Sequence, residues 1–164
     1  MVAEFGKERL CLLKLDIEDA VQVKRDLTPE LVQANLNVNL YGVMHLVSAS
    51  LPLLRKGQAK QIFAVSSTVG SLGGVFSENS LYTAYCMSKT ILNMYMRKLS
   101  VELKEEGFTV VMYSPGFVKF NLTGGYGNME VDQAVKLGVE NVIRKVTKED
   151  NGKFLDVDGT ETPW

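Results

Sequence analysis

Two stretches decide how this chain reads: Gln61-Ile62-Phe63-Ala64-Val65-Ser66-Ser67, and Tyr85-Cys86-Met87-Ser88-Lys89. The first is a short apolar run that enters two serines, the pattern of a buried strand with hydroxyls at its carboxyl end. The second opens a helix reading from Tyr82 to Glu106 that Gly107 ends. A further strand, Phe108 to Tyr113, follows and is broken by Pro115-Gly116. Upstream, Thr28-Pro29-Glu30 supplies a cap, a proline at the first helical position and an acid near the positive end of the dipole. The helix it opens runs to about Arg55, with Leu31, Ala34, Val38, Tyr41 and His45 along one side and Gly57 as its stop.

Further out the same alternation continues. Leu10 to Leu15 reads as a buried strand ending in Asp16, and Ile17 to Arg25 as a helix candidate. Thr68 to Leu81 reads as a loop. Phe117 to Asn128, with Gly124, Gly125 and Gly127, reads as a mobile segment. Met129 to Val146 reads as a helix and Gly152 to Leu155 as a last strand. Strands alternating with long helices imply an α/β fold with a largely parallel sheet. No repeat or linker divides residues 1–164, so one domain is expected.

Composition narrows the function classes. Apolar residues make up 46%, and 18 basic against 19 acidic residues leave a net charge of −1. There is no basic cluster, so neither nucleic acid nor an acidic membrane is an expected partner. No apolar run is long enough to span a membrane, and the first residues contain no apolar signal segment. Two cysteines, Cys11 and Cys86, make no disulfide framework, so a reducing, cytoplasmic location is expected. Asn121-Leu122-Thr123 fits the glycosylation pattern by chance, and the lone His45 gives no metal-ligand spacing.

Tyr85 and Lys89 are one helical turn apart, so the ammonium can lie beside the phenol. A free phenol titrates near pH ~10, and a nearby cation lowers that value. Such a tyrosine can give a proton to a carbonyl oxygen as hydride reaches its carbon. The spacing alone means little, since 6 tyrosines among many lysines meet it readily by chance. The context means more. Ser67 and Pro115-Gly116 both follow strands at the carboxyl edge of the sheet, where open α/β sheets bind ligands. A serine hydroxyl there can stabilise charge developing on a substrate oxygen, and a glycine lets backbone approach a flat ring. The bland readings are a serine-rich loop and an ordinary turn.

Residues from about 28 to 164 resemble the short-chain dehydrogenase/reductase family, in its C-factor-like or carbonyl-reductase-like branch. Asn39-Leu40-Tyr41-Gly42, Phe63-Ala64-Val65-Ser66-Ser67, Tyr85-Cys86-Met87-Ser88-Lys89 and Ser114-Pro115-Gly116-Phe117-Val118 carry the resemblance. So does the ending Gly152-Lys153-Phe154-Leu155-Asp156, Asp158-Gly159 and Pro163-Trp164. It implies a doubly wound, Rossmann-like parallel sheet flanked by helices. It implies an NAD(P)-dependent oxidoreductase that moves hydride between a nicotinamide cofactor, NADP ahead of NAD, and a small carbonyl or alcohol. Tyr85 would be the general acid/base and, with Lys89, part of the cofactor site. Lys89 would lower its pKa and bond the nicotinamide ribose. Ser67 would orient the carbonyl, and Asn39 would hold a water in a proton relay. Pro115, Gly116 and Val118 would pack around the nicotinamide. Asp16 would touch the adenine, or simply cap the helix at Ile17. Homo-oligomers form through the two long helices in this family, and Val43, Leu46, Val47, Ile91, Met94 and Leu99 suit either that role or a core.

The sequence also departs from the family. No glycine cluster precedes Asp16, and Gly6 stands alone, so the loop that brings backbone amides to a pyrophosphate is missing. The expectation is an incomplete, N-terminally truncated domain lacking the first βαβ unit. Residues 17–37 are too few for the family's elements before Asn39, which adds an internal deletion. The Leu10–Leu15 strand would then pair beside Gln61–Val65 or stay poorly ordered. The interval from Ser67 to Tyr85 is wide, which places an insertion in the loop. Phe120 stands where a threonine would bond the nicotinamide carboxamide. A noncatalytic chain that acts through dimerisation, with itself or a full-length relative, is the alternative reading.

Overall fold

The computed structural model describes residues 27–74 and 82–164. Asp16, the strand expected at Leu10–Leu15 and the helix expected at Ile17–Arg25 lie outside the described residues. Thr28 caps the first helix as its sequence requires. Its backbone is extended and its Oγ1 accepts from the Leu31 N–H at 3.3 Å.

The run expected as one helix is a rod in three parts: α1 (Pro29–Leu36), a π-helical turn (Asn37–Gly42) and α2 (Val43–Leu54). The buried stripe differs from the one along Leu31, Ala34, Val38, Tyr41 and His45. Ala34, Tyr41 and His45 face solvent, while Asn35, Asn39, Leu40 and Val47 turn inward. Steps of four residues drift around an α-helix. A turn closed from i to i+5 takes up more residues and cancels that drift, so Asn35, Asn39, Val43 and Val47 stay on one side.

The sheet is parallel, in the order β1 (Gln61–Val65), β2 (Thr109–Tyr113), β3 (Phe154–Leu155). Val65 pairs with Tyr113 and Tyr113 with Leu155, so the three strands end level at the carboxyl edge. Alternate residues face opposite sides. Ala64, Val110, Met112 and Phe154 pack with Leu92, Met96 and Leu99 of α3 (Thr83–Glu102) and with Val47 of α2. Val111 and Leu155 pack with Val142 on the other face, flanked by Phe63, Tyr113 and Val146. Among the described residues β1 pairs only with β2.

Gly107 ends the turns after α3 at φ +82, as expected of a helix stop. The helix expected from Met129 to Val146 is α4 (Val131–Leu137) followed by a π-helical turn (Gly138–Ile143). Gly138 lies under the Tyr113 ring, where a Cβ would come within 3.2 Å of the ring. The segment from Phe117 to Asn128, read as mobile, carries backbone hydrogen bonds across itself. Lys119 N–H donates to Met129 O at 2.9 Å and Asn128 N–H to Phe117 O at 2.7 Å. Its glycines close turns at positive φ: Gly124 at 62°, Gly125 at 82° and Gly127 at 159°.

Candidate active site

The three strand ends and the start of α3 enclose one polar corner. Ser67 leaves β1 in extended conformation. Thr68–Gly70 then forms a 3-10 turn that presses on α3. At Gly70 a Cβ would lie 2.8 Å from the Lys89 Cβ and 2.9 Å from its carbonyl carbon. No larger residue fits without moving one element, so Gly70 sets how closely the serine turn approaches the lysine. Thr90 Oγ1 donates to Gly70 O at 2.9 Å and fixes the turn from below.

Lys89 is almost wholly buried. Its Nζ donates to the Val65 carbonyl at 3.0 Å and sits 5.6 Å from the centre of the Tyr85 ring. Burial pulls the ammonium down from 10.5 to about 8. Burial also pushes the Tyr85 phenol up from 10.0 to about 12, against a hydrogen bond with the Ser67 side chain that favours ionisation. The sequence reading expected the lysine to lower the phenol. Here desolvation dominates, and the ammonium lies over the ring with its hydrogen bond committed to Val65. At neutral pH the phenol keeps its proton.

Asn39 sits in the π-helical turn and is 4% exposed. Its Nδ2 donates to Ser88 Oγ at 2.9 Å, and Ser88 Oγ donates to the Tyr85 carbonyl at 2.7 Å. The turn that carries Asn39 is thus bonded to the helical turn that carries Tyr85 and Lys89. One turn further on, Asn93 Oδ1 accepts from Ser66 Oγ at 2.6 Å, which ties α3 to the end of β1. Ser66, Ser88, Gly70 and Asn93 were missed in the sequence. Ser88 and Ser66 lie inside the quoted motifs and were legible in principle. Gly70 and Asn93 are explained only by tertiary contact.

A second wall follows β2. Pro115, Val118, Phe120 and Tyr113 face Val131, Ala134 and Val135 of α4 across a cleft of about 290 Å³. Gly116 has φ +81, and a Cβ there would run into Met129 Cε, so the glycine answers first to the packing of Met129. The cleft has room for a flat ring against Pro115 and Val118. Phe120 offers no side-chain hydrogen bond where the expected threonine would have one.

The structure therefore brings Asn39, Ser67, Tyr85 and Lys89 to one corner and Pro115, Gly116 and Val118 to the wall beyond β2. Asp16 lies outside the described residues. Among these residues no group of three or more His, Cys, Asp and Glu side chains could hold a metal ion. No helix among them is long and apolar enough to cross a membrane.

Comparison with known proteins bears on the family and the fold. The short chain dehydrogenase family profile matches residues 16–131. C-signal of Myxococcus xanthus is 37% identical over 127 residues, covering 77% of this chain and 75% of that protein. An uncharacterized oxidoreductase of Saccharomyces cerevisiae is 36% identical over 149 residues, 82% of this chain and 57% of that protein. Among solved structures, carbonyl reductase Sniffer of D. melanogaster superposes with a TM-score of 0.70 at 30% identity, over 82% of this chain and 56% of that one. NADPH-bound carbonyl reductase from chicken fatty liver gives 0.77 at 26%, over 87% and 62%. The chain thus spans three quarters of C-signal and less than two thirds of the other three. With a matching profile over most of its length, a parallel sheet flanked by helices and Rossmann-fold neighbours, the chain belongs to the short chain dehydrogenase family.

Proposed function

We propose that this chain is an oxidoreductase of carbonyl-reductase type, with NADP ahead of NAD as its cofactor. The observation that carries the reading is the Ser67–Tyr85–Lys89 corner, with a protonated phenol beside a buried ammonium at the carboxyl edge of the sheet. The nicotinamide cofactor, when bound, supplies the hydride. Lys89 would hold its ribose, and Pro115, Gly116 and Val118 would hold its ring, for which the cleft beyond β2 has room. Ser67 orients the substrate carbonyl. Tyr85 gives its proton to the carbonyl oxygen as the alcohol forms. At neutral pH the buried phenol carries the proton that reduction of a carbonyl needs. Asn39, through Ser88, keeps the Tyr85 turn in place, and its π-helical turn would hold the relay water.

The test is transfer of deuterium from nicotinamide-deuterated NADPH to aldehydes and ketones of graded size. Label in the alcohol supports the reading; no label from any carbonyl, with cofactor bound, overturns it.

A second reading has its own support. Leu53, Ile91, Met94 and Val101 on α2 and α3 are exposed, at 71%, 39%, 59% and 62%. Val47 and Leu99, which suited either that role or a core, are core residues. An apolar face of this kind suits association with a second copy or a full-length relative, catalytic or not. Light scattering on Met94→Lys tests it: a dimer that becomes a monomer is expected, and a wild-type monomer would refute it.

A further inference from the structure

The chain after β3 does not run off into solvent. It turns through 156–160, where Asp156 N–H donates to Thr160 O at 2.8 Å and Thr160 N–H to Asp158 Oδ1 at 2.8 Å. It then returns antiparallel to β3. Leu155 bridges Glu161, and Thr162 N–H donates to Phe154 O at 2.7 Å. The next two residues reach the loop after β1. Ser71 Oγ donates to Pro163 O at 2.5 Å, and Gly73 N–H donates to Trp164 O at 2.7 Å. The Trp164 ring lies 6.0 Å from the fully buried Phe154 ring, centre to centre.

We propose that Pro163-Trp164 is a strap that positions the Ser67 turn, so that Ser71, Gly73 and Trp164 are positioning residues for the substrate-orienting serine. The proposal rests on the role given to Ser67 above. The loop is held from two sides. Below, Gly70 lies on Lys89 and bonds Thr90. Above, the strap takes one side-chain and one backbone hydrogen bond from Ser71 and Gly73. Between them, Gly70 N–H closes on Ser67 O at 2.9 Å and Ser71 N–H on Thr68 O at 3.1 Å. Ser71 is 2% exposed, so its hydroxyl has few alternatives to Pro163 O. The contact at Gly73 is also steric: a Cβ there would lie 2.9 Å from Trp164 O. Through these links the last two residues reach the site from the far edge of the sheet.

Trp164 is the single tryptophan of the chain, so its emission reports the strap directly. The experiment compares wild type, Gly73→Ala, Trp164→Gly and Trp164→Phe by amide hydrogen exchange, tryptophan emission where present, NADPH affinity and carbonyl-reduction kinetics. In Gly73→Ala the emission is expected to shift to the red. Gly73→Ala pushes on Trp164 O and Trp164→Gly removes the ring that anchors the strap on Phe154, so in both the Gly70 and Ser71 amides are expected to exchange roughly fivefold to tenfold faster as the strap loosens. In both, kcat falls by a similar factor while NADPH affinity holds. Trp164→Phe, which keeps a ring against Phe154 where Trp164→Gly has none, returns exchange and kcat to wild-type values. Unchanged Gly70 and Ser71 exchange in Trp164→Gly and in a red-shifted Gly73→Ala would overturn the proposal, since α3 alone would then hold the turn. So would a loss of NADPH affinity equal to the loss of kcat. If wild type turns over no carbonyl, the proposed function fails on its own, and the exchange result still decides the strap.

Discussion

The two walls of the site are built differently. The wall from β1 and α3 is polar and tightly bonded: Ser66 to Asn93, Lys89 to Val65, Asn39 to Ser88 and Ser88 to Tyr85. The wall from β2 and α4 is apolar, with Phe120 43% exposed and Val131 and Val135 largely uncovered. The acid/base role proposed for Tyr85 draws on groups that α3 and the end of β1 hold close together. Holding a nicotinamide dinucleotide needs a phosphate loop from elsewhere in such a domain and a polar partner for the carboxamide. The contrast separates the groups proposed for proton transfer, which meet at one corner, from those proposed for cofactor affinity, of which the described residues supply a part.

The strongest break in that contrast is Tyr85→Phe. Removing the proton donor is expected to lower kcat by about 10²–10⁴-fold and leave NADPH affinity within a small factor. Equal loss of both would place Tyr85 in cofactor binding alone.

Next comes Lys89. Its pKa falls from 10.5 to about 8 on folding, so between those values the unfolded chain holds a proton the folded chain has lost. Stability therefore rises with pH from about 8 towards 10, by an amount on the order of 3 kcal/mol if the whole shift is expressed. Tyr85 has the opposite sign, because its raised pKa removes stability above pH 10.0. Urea unfolding from pH 7 to 10 should show the rise in wild type and no rise in Lys89→Met, where the raised Cys86 thiol can only lower stability. A rise in both would assign it to another group.

Asn39→Ala removes the bond to Ser88 from a buried site, and a loss of about 1–3 kcal/mol is expected in urea unfolding. The smallest effect sharpens the second wall. Phe120→Thr restores a hydroxyl near the expected carboxamide and should tighten NADPH about twofold to tenfold, the net worth of one hydrogen bond. No change would mean that the carboxamide is not held there.

The polar wall was largely legible in the sequence because its signals are local. Tyr85 and Lys89 share one helical turn, and Ser67 ends a recognisable strand. The π-helical turn under Asn39 was not legible, since no residue in Asn37–Gly42 announces an inserted position, and it turned a different stripe inward. The direction of the Tyr85 shift was missed for a related reason: burial is set by tertiary packing, which the spacing of two residues does not encode. The turns of Phe117–Asn128 were not legible, because glycines that close turns at positive φ and glycines that loosen a segment look alike in sequence. The corner is tight because Gly70 admits Lys89, a contact made between elements distant in the chain.

The most direct measurement is a fluorescence titration of the folded wild-type chain with NADPH and NADH, with Tyr85→Phe alongside. Saturable NADPH binding that survives in Tyr85→Phe, with reduction lost only in the variant, is the expected result. A folded chain that saturates with neither nucleotide would contradict the proposed oxidoreductase function and leave the Ser67–Tyr85–Lys89 corner without a hydride to answer.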